Sequence, residues 1–283
     1  MNKLFTLFYL FSTSVLLAQD VFPDLSPQTS ITQEVGNTTV QLAYSRPAMK
    51  GRKIFGGLVP YDQKWRTGAG KCSTISFDKS VIIEGNYVAA GKYAIISIPG
   101  KNEWEIILYA DTTLYGLYNY DRAQEVIRFK AKSEYLPKAQ ESFAISIDIV
   151  PYDAIISLAW EHTLVSFRLE TSTVVELKSY IESQLLAQKE QDADTYIQGA
   201  FYLMEHFKEL ENALLLTDYA LKIKDSEYLR NTRADIFVSL NKTDKVNHEI
   251  EKAIEMVENS KDLTATDKIE NLKFWNEKLK KLN

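Results

Sequence analysis

The chain has a single cysteine, Cys72, among its 283 residues. An intramolecular disulfide is therefore excluded, and stability must come from burial of a hydrophobic core. No histidine lies near Cys72 in the sequence, which argues against a thiol nucleophile activated by a neighbouring base. We expect Cys72 to be a small buried side chain.

The chain also has few of the residues that build metal and nucleotide sites. Its three histidines, at positions 162, 206 and 248, are isolated from one another, so neither a metal site nor a bound cofactor is predicted. Residues 68–73 read GAGKCS and superficially resemble a phosphate-binding loop, but Trp65 occupies the position of its first glycine and Cys72 follows Lys71. The net charge of -5 argues against general nucleic-acid binding.

Long apolar runs are absent except at the start of the chain. Residues 4–17 are mostly apolar, Lys3 precedes them, and Ala18 offers a small residue for cleavage, although Leu16 is larger than usual at its position. Fourteen residues are too few to span a membrane comfortably. The sequence therefore predicts a signal peptide at residues 1–18, an exported protein in the periplasm or outside the cell, and no transmembrane segment in the mature chain. The absence of a cysteine near the cleavage point argues against a lipid anchor.

Residues 35–170 show the pattern of β-strands. Phe143, Ile145, Ile147 and Ile149 alternate with more polar residues, and similar runs recur between turn signals such as residues 84–86, 99–102 and 136–137. Eight or nine short strands without intervening helices favour an antiparallel β-sandwich or a barrel-like sheet. Residues 19–34 are interpreted as a linker.

Residues 171–283 show helical periodicity, with one glycine, Gly199, and no proline. Five or six helices are predicted, with breaks near residues 191–192, 208, 225–226, 241 and 260, packed as helical hairpins. The fold class is thus α+β, with a β domain followed by an all-α region. Ala220 and Ala253 lie 33 residues apart, close to the tetratricopeptide period. Tetratricopeptide-like repeats and an ordinary helical bundle both remain open.

Residues 44–74 form the most unusual part of the sequence. They contain seven basic residues, one acid, five of the eleven glycines and two of the seven prolines. A long helix or uninterrupted strand is excluded, and a shaped loop that presents cations is predicted. Arginines can hold a carboxylate, sulfate or phosphate, and aromatic rings can supply a flat face for a sugar. The candidate binding residues are Arg46, Lys50, Arg52, Tyr61, Trp65, Arg66 and Lys71. Alternatively, the arginines pair with acids of the same domain, such as Glu84, Asp111 or Asp121, and only fasten the loop.

Several ordered blocks of this region resemble an exported bacterial family known as domain of unknown function 2911. The blocks are residues 44–47, 50–56, 58–61, 65–69, 90–93, 98–99, 104–107 and 120–121. The resemblance is strong over residues 29–169 and loose over the helices. It implies an exported β domain, often followed by tetratricopeptide-like helices, and no established activity. The family usually continues the tryptophan block with Asn-Glu where this chain has Gly70 and Lys71. If that acid is a general base in relatives, this chain lacks it; if it only neutralises the arginines, this loop is more cationic.

We therefore expect a non-catalytic module that binds a small anionic or glycan-like ligand and has a helical tail that contacts a protein. Two alternatives stay open: a hydrolase-type enzyme with its site in the loop from Arg46 to Lys71, and a structural component of the cell envelope. No catalytic residue can be named from the sequence.

Overall fold

The computed structural model describes residues 23–190 and 192–282. The predicted signal peptide, residues 1–18, lies outside this part, as does the start of the predicted linker. The chain forms two compact units, one ending at Thr173 and the other starting at Val174.

The first unit is an antiparallel β structure, which confirms the predicted class. Its strands pair in the order β1-β2-β3-β6-β7-β8-β9-β4-β5. The strands of the described residues are β1 (Gln28–Val35), β2 (Thr38–Ser45), β3 (Ser73–Phe77), β4 (Val81–Ile83), β5 (Asn86–Val88), β6 (Gly91–Ile98), β7 (Glu103–Tyr109), β8 (Glu125–Val150) and β9 (Asp153–Thr171).

The sheet folds over a large hydrophobic cluster because β8 and β9 are long, and a smaller cluster that includes Ala94, Ile96 and Tyr109 is separate from it. β8 has 26 residues and pairs with β7 in its first part and with β9 along most of its length. Its second part faces β2, where the Tyr44 hydroxyl donates to the Ile145 carbonyl at 3.0 Å. Apolar side chains of both parts, including Phe129 and Phe143, share one buried cluster. Of the alternating residues noted in the sequence, Phe143 and Ile145 are buried in this cluster, Ile147 packs partly buried against it, and Ile149 is exposed.

Two details differ from the sequence interpretation. β1 (Gln28–Val35) occupies the last seven residues of the segment 19–34 that the sequence interpretation assigned to a linker. Its side chains are mostly polar, and only Val35 is fully buried, so this edge strand has a weak hydrophobic alternation. Pro137, interpreted as part of a turn, lies within β8 where the pairing register shifts between Tyr135 and Gln140. Proline has no N–H to donate to a neighbouring strand, so within a sheet it is tolerated at such irregularities, where the regular hydrogen bonding is interrupted.

The second unit is helical, as predicted. Its helices are α1 (Thr173–Tyr180), α2 (Ala193–Tyr202), α3 (Leu210–Ile223), α4 (Glu227–Ser239), α5 (Thr243–Asn259) and α6 (Ala265–Leu282), and single π-helical turns, Ile181–Leu185 and Leu203–Phe207, continue α1 and α2. The breaks between the helices fall at or within a few residues of the predicted positions.

Helices next to each other in the sequence pack together as hairpins. α2 and α4 begin at Ala193 and Glu227, and α3 and α5 begin at Leu210 and Thr243, which gives offsets of 34 and 33 residues. Ala220 and Ala253, at equivalent positions of α3 and α5, are fully buried. Small side chains there allow the helices to approach closely. Among the described residues, no helix is both long enough and apolar enough to cross a membrane.

Candidate functional site

The basic segment, residues 46–72, connects β2 to β3 without regular secondary structure and is fixed to the end of β6. The Trp65 amide donates to the Ser97 carbonyl at 2.7 Å, and the Ser97 amide donates back to Trp65 at 2.9 Å. The buried hydroxyls of Thr67 and Ser97 lie 2.7 Å apart, and the Asp62 amide donates to the Pro99 carbonyl at 2.8 Å. The segment is therefore held on a rigid strand, although its own backbone is irregular.

Unusual backbone conformations give this segment its shape. Lys50, Asp62 and Thr67 have φ values of 49°, 60° and 56°, in the left-handed region that side chains with a Cβ rarely adopt. Gly68 follows with φ at 151°, and a Cβ there would lie 3.0 Å from the Ser73 hydroxyl oxygen. Backbone strain of this kind costs about 1–3 kcal/mol for each residue and concentrates at functional sites.

Two carboxylates from β8 and β9 hold the first half of the segment. Glu161 Oε2 accepts hydrogen bonds from the amides of Ile54 and Phe55 at 3.3 and 3.4 Å. Glu141 Oε1 accepts from the Lys50 amide at 2.9 Å. Both acids bind main-chain N–H groups, and neither neutralises a side-chain cation of the segment.

A cleft with a volume of about 500 Å³ opens between this segment and the chain preceding β1. Four basic side chains line it: Lys50, Arg52, Lys64 and Arg66. The remaining lining residues are Leu25, Ser26, Pro47, Ala48, Leu58, Val59, Pro60, Gln63, Trp65, Gly68, Ala69 and Trp160. None of these lining residues is acidic. The cleft therefore concentrates positive charge, although the chain as a whole has a net negative charge.

The four cations differ in how they are held. Arg52 donates from Nε to the Met49 carbonyl at 2.9 Å and from Nη2 to the Ala48 carbonyl at 2.6 Å. Lys64 Nζ lies 4.5 Å from the centroid of the Tyr120 ring, a cation–π contact. Arg66 Nε is buried and has no hydrogen-bond partner.

Within the described part of the chain, none of the four cations forms an ion pair. The three acids considered as possible partners are engaged elsewhere. Glu84 accepts from the Arg168 amide, Asp111 from Thr113, and Asp121 from the Ala123 amide. The cleft therefore presents four cations that no acid among the described residues neutralises, and the buried Nε of Arg66 also lacks an acceptor there.

The base of the cleft is a compact aromatic cluster. The Trp65 and Trp160 rings stack with centroids 5.9 Å apart, and Phe55, Trp104 and Phe143 pack around them. Trp65 is 8% exposed and Trp160 is 2% exposed, and Trp65 Nε1 donates to the Gly68 carbonyl at 3.1 Å. These rings form a wall for the cleft. They do not offer the open flat face that the sequence interpretation assigned to Trp65.

Four of the seven residues predicted from the sequence line the cleft: Lys50, Arg52, Trp65 and Arg66. Arg46 does not, because its Nε donates to the Phe143 carbonyl at 3.2 Å and joins the end of β2 to β8. Tyr61 packs partly buried against the core, where a Cβ at Gly56 would lie 2.5 Å from its ring.

Lys71, the last predicted residue, lines a second cleft with a volume of about 240 Å³. Its neighbours there are Gln28, Ala43, Tyr44, Ser45, Cys72, Thr74, Lys92 and Thr112. Cys72 is buried, as predicted, and burial raises the pKa of its thiol from 9.0 to about 11 despite the nearby charge of Arg66. The protonated thiol therefore dominates near neutral pH, and Cys72 is unsuited to act as a nucleophile.

The sequence interpretation missed Lys64 and Trp160. Lys64 belongs to the same basic stretch, and that clustering of cations is the signal that points to it. Trp160 comes from β9, about a hundred residues later, and continues the buried alternation of Ala154, Ile156 and Leu158. A large aromatic residue that continues such an alternation predicts a buried side chain, and this pattern could have pointed to Trp160.

Metal chemistry has no support in the described residues, because no group of three or more His, Cys, Asp or Glu side chains there could hold an ion. Tyr120, whose ring contacts Lys64, donates to Glu125, which also accepts from Arg128. Hydrogen bonds from Arg128 lower the pKa of Glu125, and burial raises the pKa of Tyr120. This network fixes the ring against which Lys64 lies.

Comparison with curated proteins and with solved structures finds no match. A family model described as a protein of unknown function, DUF2911, matches residues 26–169, just over half of the chain and nearly all of the β unit from β1 to β9. The match includes every residue that lines the two clefts except Leu25. The chain thus belongs to the DUF2911 family.

Proposed function

We propose that the β domain is a binding module for a small anionic ligand, held in the cleft lined by Lys50, Arg52, Lys64 and Arg66. One observation carries this proposal: the four cations share one cleft, and no acid of the described chain pairs with them. A carboxylate, sulfate or phosphate group would supply the missing acceptors. Hydrogen bonds between ionised groups are stronger than those between neutral groups.

The geometry of Arg66 and Arg52 gives further support. A buried guanidinium N–H without a partner is costly, and an anion that enters the cleft would remove that cost at Arg66. Arg52 is oriented by two main-chain carbonyls, which leaves Nη1 available. A cation held in place before binding loses less conformational entropy when the ligand arrives.

The enzyme alternative has less support in the same cleft. Its described lining contains no Asp, Glu, His or Cys, the residues most often used as general acids, general bases and nucleophiles. Binding without catalysis therefore remains the better proposal.

The proposed site of action is outside the cytoplasm. The intact mass of protein from its native host tests this, because cleavage after Ala18 would leave Gln19 as the first residue.

The binding proposal is tested by titrating sulfate, phosphate and glucuronate into the full mature chain at constant ionic strength, with glucose as the uncharged control. Trp65 and Trp160 line the cleft, so tryptophan fluorescence reports binding, and calorimetry gives the affinity. We expect the anions to bind and to raise the melting temperature, since a ligand at a hundred times its dissociation constant adds about 2.7 kcal/mol of stability.

Matched variants give the control. Lys50→Ala, Lys64→Ala and Arg66→Met should each weaken anion binding, while Lys53→Ala should not, because Lys53 is an exposed lysine of the same segment that lines neither cleft. Equal binding by Lys53→Ala and Arg66→Met, or no effect of any anion on the wild type, would contradict the proposal.

A further inference from the structure

Apolar residues outnumber the cations in the lining of the first cleft. Nine of its sixteen described lining residues are apolar, and four are basic. Clefts of about 300–1,000 Å³ that are lined mainly by apolar groups, with a few polar ones, are typical sites for small organic molecules. The first cleft, at about 500 Å³, falls within this range. Its lining therefore indicates a ligand that has an apolar part as well as an anionic one.

The apolar lining includes both buried residues and residues at the solvent-exposed rim. Val59 and Trp160 are 5% and 2% exposed and belong to the buried core. Leu58 and Leu25 line the same cleft and are 47% and 77% exposed. An inorganic ion would leave these two leucines in water, whereas an apolar group beside them would remove part of their surface from water, which is favourable. A single exposed leucine is ordinary, but two in one cleft lined by cations indicate a common binding partner.

Arg66 gives the anionic end of the ligand its place. It is the least exposed of the four cations, because it is partly buried while Lys50, Arg52 and Lys64 are exposed. Its Nε is buried without an acceptor among the described residues. Arg66 also follows directly after Trp65, whose ring forms part of the base of the cleft. An anionic head group bonded to Arg66 would leave the apolar lining free to contact the rest of the ligand.

The lining favours an aliphatic group over a flat aromatic one. Trp65 and Trp160 are the only aromatic residues in the described lining, and they stack on each other with both rings almost fully buried. A nucleobase binds best on an open aromatic face, and the described lining offers none. The other apolar lining residues are leucine, valine, alanine and proline. These side chains suit a hydrocarbon chain, which needs apolar contact without a fixed stacking geometry.

From this arrangement we infer that the ligand is an aliphatic anion, a free molecule in which a carboxylate or phosphate head group carries a hydrocarbon chain. The head group bonds Arg66 and is attracted by the other three cations, and the chain contacts Leu25 and Leu58. This inference rests on the proposed function and names the class of ligand for the same cleft. No covalent step is involved.

The experiment measures the binding of acetate and octanoate to the full mature chain by calorimetry, at constant ionic strength and below the concentration at which octanoate aggregates. Inorganic phosphate and octyl phosphate form a second pair, and octanol tests the need for a charge. Each fully buried methylene strengthens binding about fourfold. We therefore expect octanoate to bind at least tenfold more tightly than acetate and than octanol, and octyl phosphate at least tenfold more tightly than phosphate. The heat-capacity change should be more negative for the longer chain, because binding buries apolar surface.

Two sets of variants test the two ends of the ligand. Leu25→Ser combined with Leu58→Ser should weaken octanoate binding by about three- to tenfold and leave acetate unchanged, because only the chain loses contacts. Arg66→Met should weaken both carboxylates and narrow the difference between octanoate and octanol. Ile149→Ser is the matched control and should change neither affinity, since Ile149 is 52% exposed in β8 and lines neither cleft. A circular dichroism melt checks that the double variant is folded.

Equal affinities within both pairs, or an octanoate affinity unchanged in the double leucine variant, would overturn the inference. Arg66-dependent binding of sulfate would then show that the proposed function still holds. Octanol that binds as tightly as octanoate would overturn the need for a charged head group. Sedimentation with phosphatidylglycerol vesicles that depends on Leu25 and Leu58 would overturn the assignment to a free molecule. Failure of every anion to bind, with or without a chain, would overturn the proposed function itself.

Discussion

Replacing Arg66 with methionine should make the β domain more stable and less able to bind anions. The Nε of Arg66 is buried without a partner, and three other cations line the same cleft. A buried unsatisfied donor costs about 1–3 kcal/mol. Methionine keeps most of the apolar stem and removes the charge, so the packing along the cleft wall is retained. We expect the free energy of unfolding to rise by about 1–2 kcal/mol. The melting temperature should then rise by roughly 2–4 °C for each kcal/mol.

The assay is urea denaturation followed by tryptophan fluorescence. Three of the four tryptophans lie in the core of the β unit and the fourth, Trp275, lies in α6. A Trp275→Phe background therefore restricts the signal to the β domain. Lys53→Met in the same background should change stability by no more than about 0.5 kcal/mol. A loss of more than about 1 kcal/mol in Arg66→Met would refute the reasoning, because it would mean that the guanidinium stabilises the fold.

Three further predictions concern other parts of the molecule. Glu249→Ala should destabilise the helical unit by about 3–5 kcal/mol, because the buried Glu249 carboxylate forms salt bridges with Arg230 at 2.7 Å and with Arg233 at 2.9 Å. Urea denaturation followed by circular dichroism measures this, and a change below about 1 kcal/mol would contradict it. Cys72 should react with a thiol reagent at pH 8 only after unfolding, and immediate reaction of the folded protein would show an accessible thiolate. Burial raises the pKa of this thiol in the folded state, so its contribution to stability should be complete below the ordinary pKa of 9.0 and be lost as the pH rises towards about 11. Arg46→Ala should lower the stability of the β domain by about 1–3 kcal/mol, since its guanidinium bonds a carbonyl of β8, and an unchanged melting temperature would count against that role.

The fold could be predicted from the sequence wherever the spacing of apolar residues matches the spacing of buried positions. Phe143 and Ile145 alternate with less buried residues in β8, and Ala220 and Ala253 mark buried positions on helices. β1 was missed because an edge strand with polar side chains carries little hydrophobic signal. The hydrophobic pattern also cannot show that a strand continues through Pro137, since this depends on the pairing register with β9.

The candidate site was accessible only in part. Composition identified the basic segment, because glycine, proline and clustered cations are local features. The roles of individual residues depend on tertiary contacts. Arg46 donates to the Phe143 carbonyl, 97 residues away in the sequence, whereas Arg66 Nε finds no acceptor among the described residues. Trp160 reaches the cleft only because β9 returns alongside β8. No local pattern distinguishes a fastening arginine from a binding one.

The position of β9 in the sheet has a consequence for how the domain forms. β4 and β5 come early in the chain, yet in the described part of the protein they join the rest of the sheet only through β9, where Ile83 pairs with Leu169. Contacts between such distant residues form slowly, because a long loop must close before they contribute. During synthesis, β4 and β5 can pair with each other, but Val81 and Ile83 lack their partners in β9 until that last strand has emerged. Completion of the core must be a late, cooperative event that involves the whole β domain.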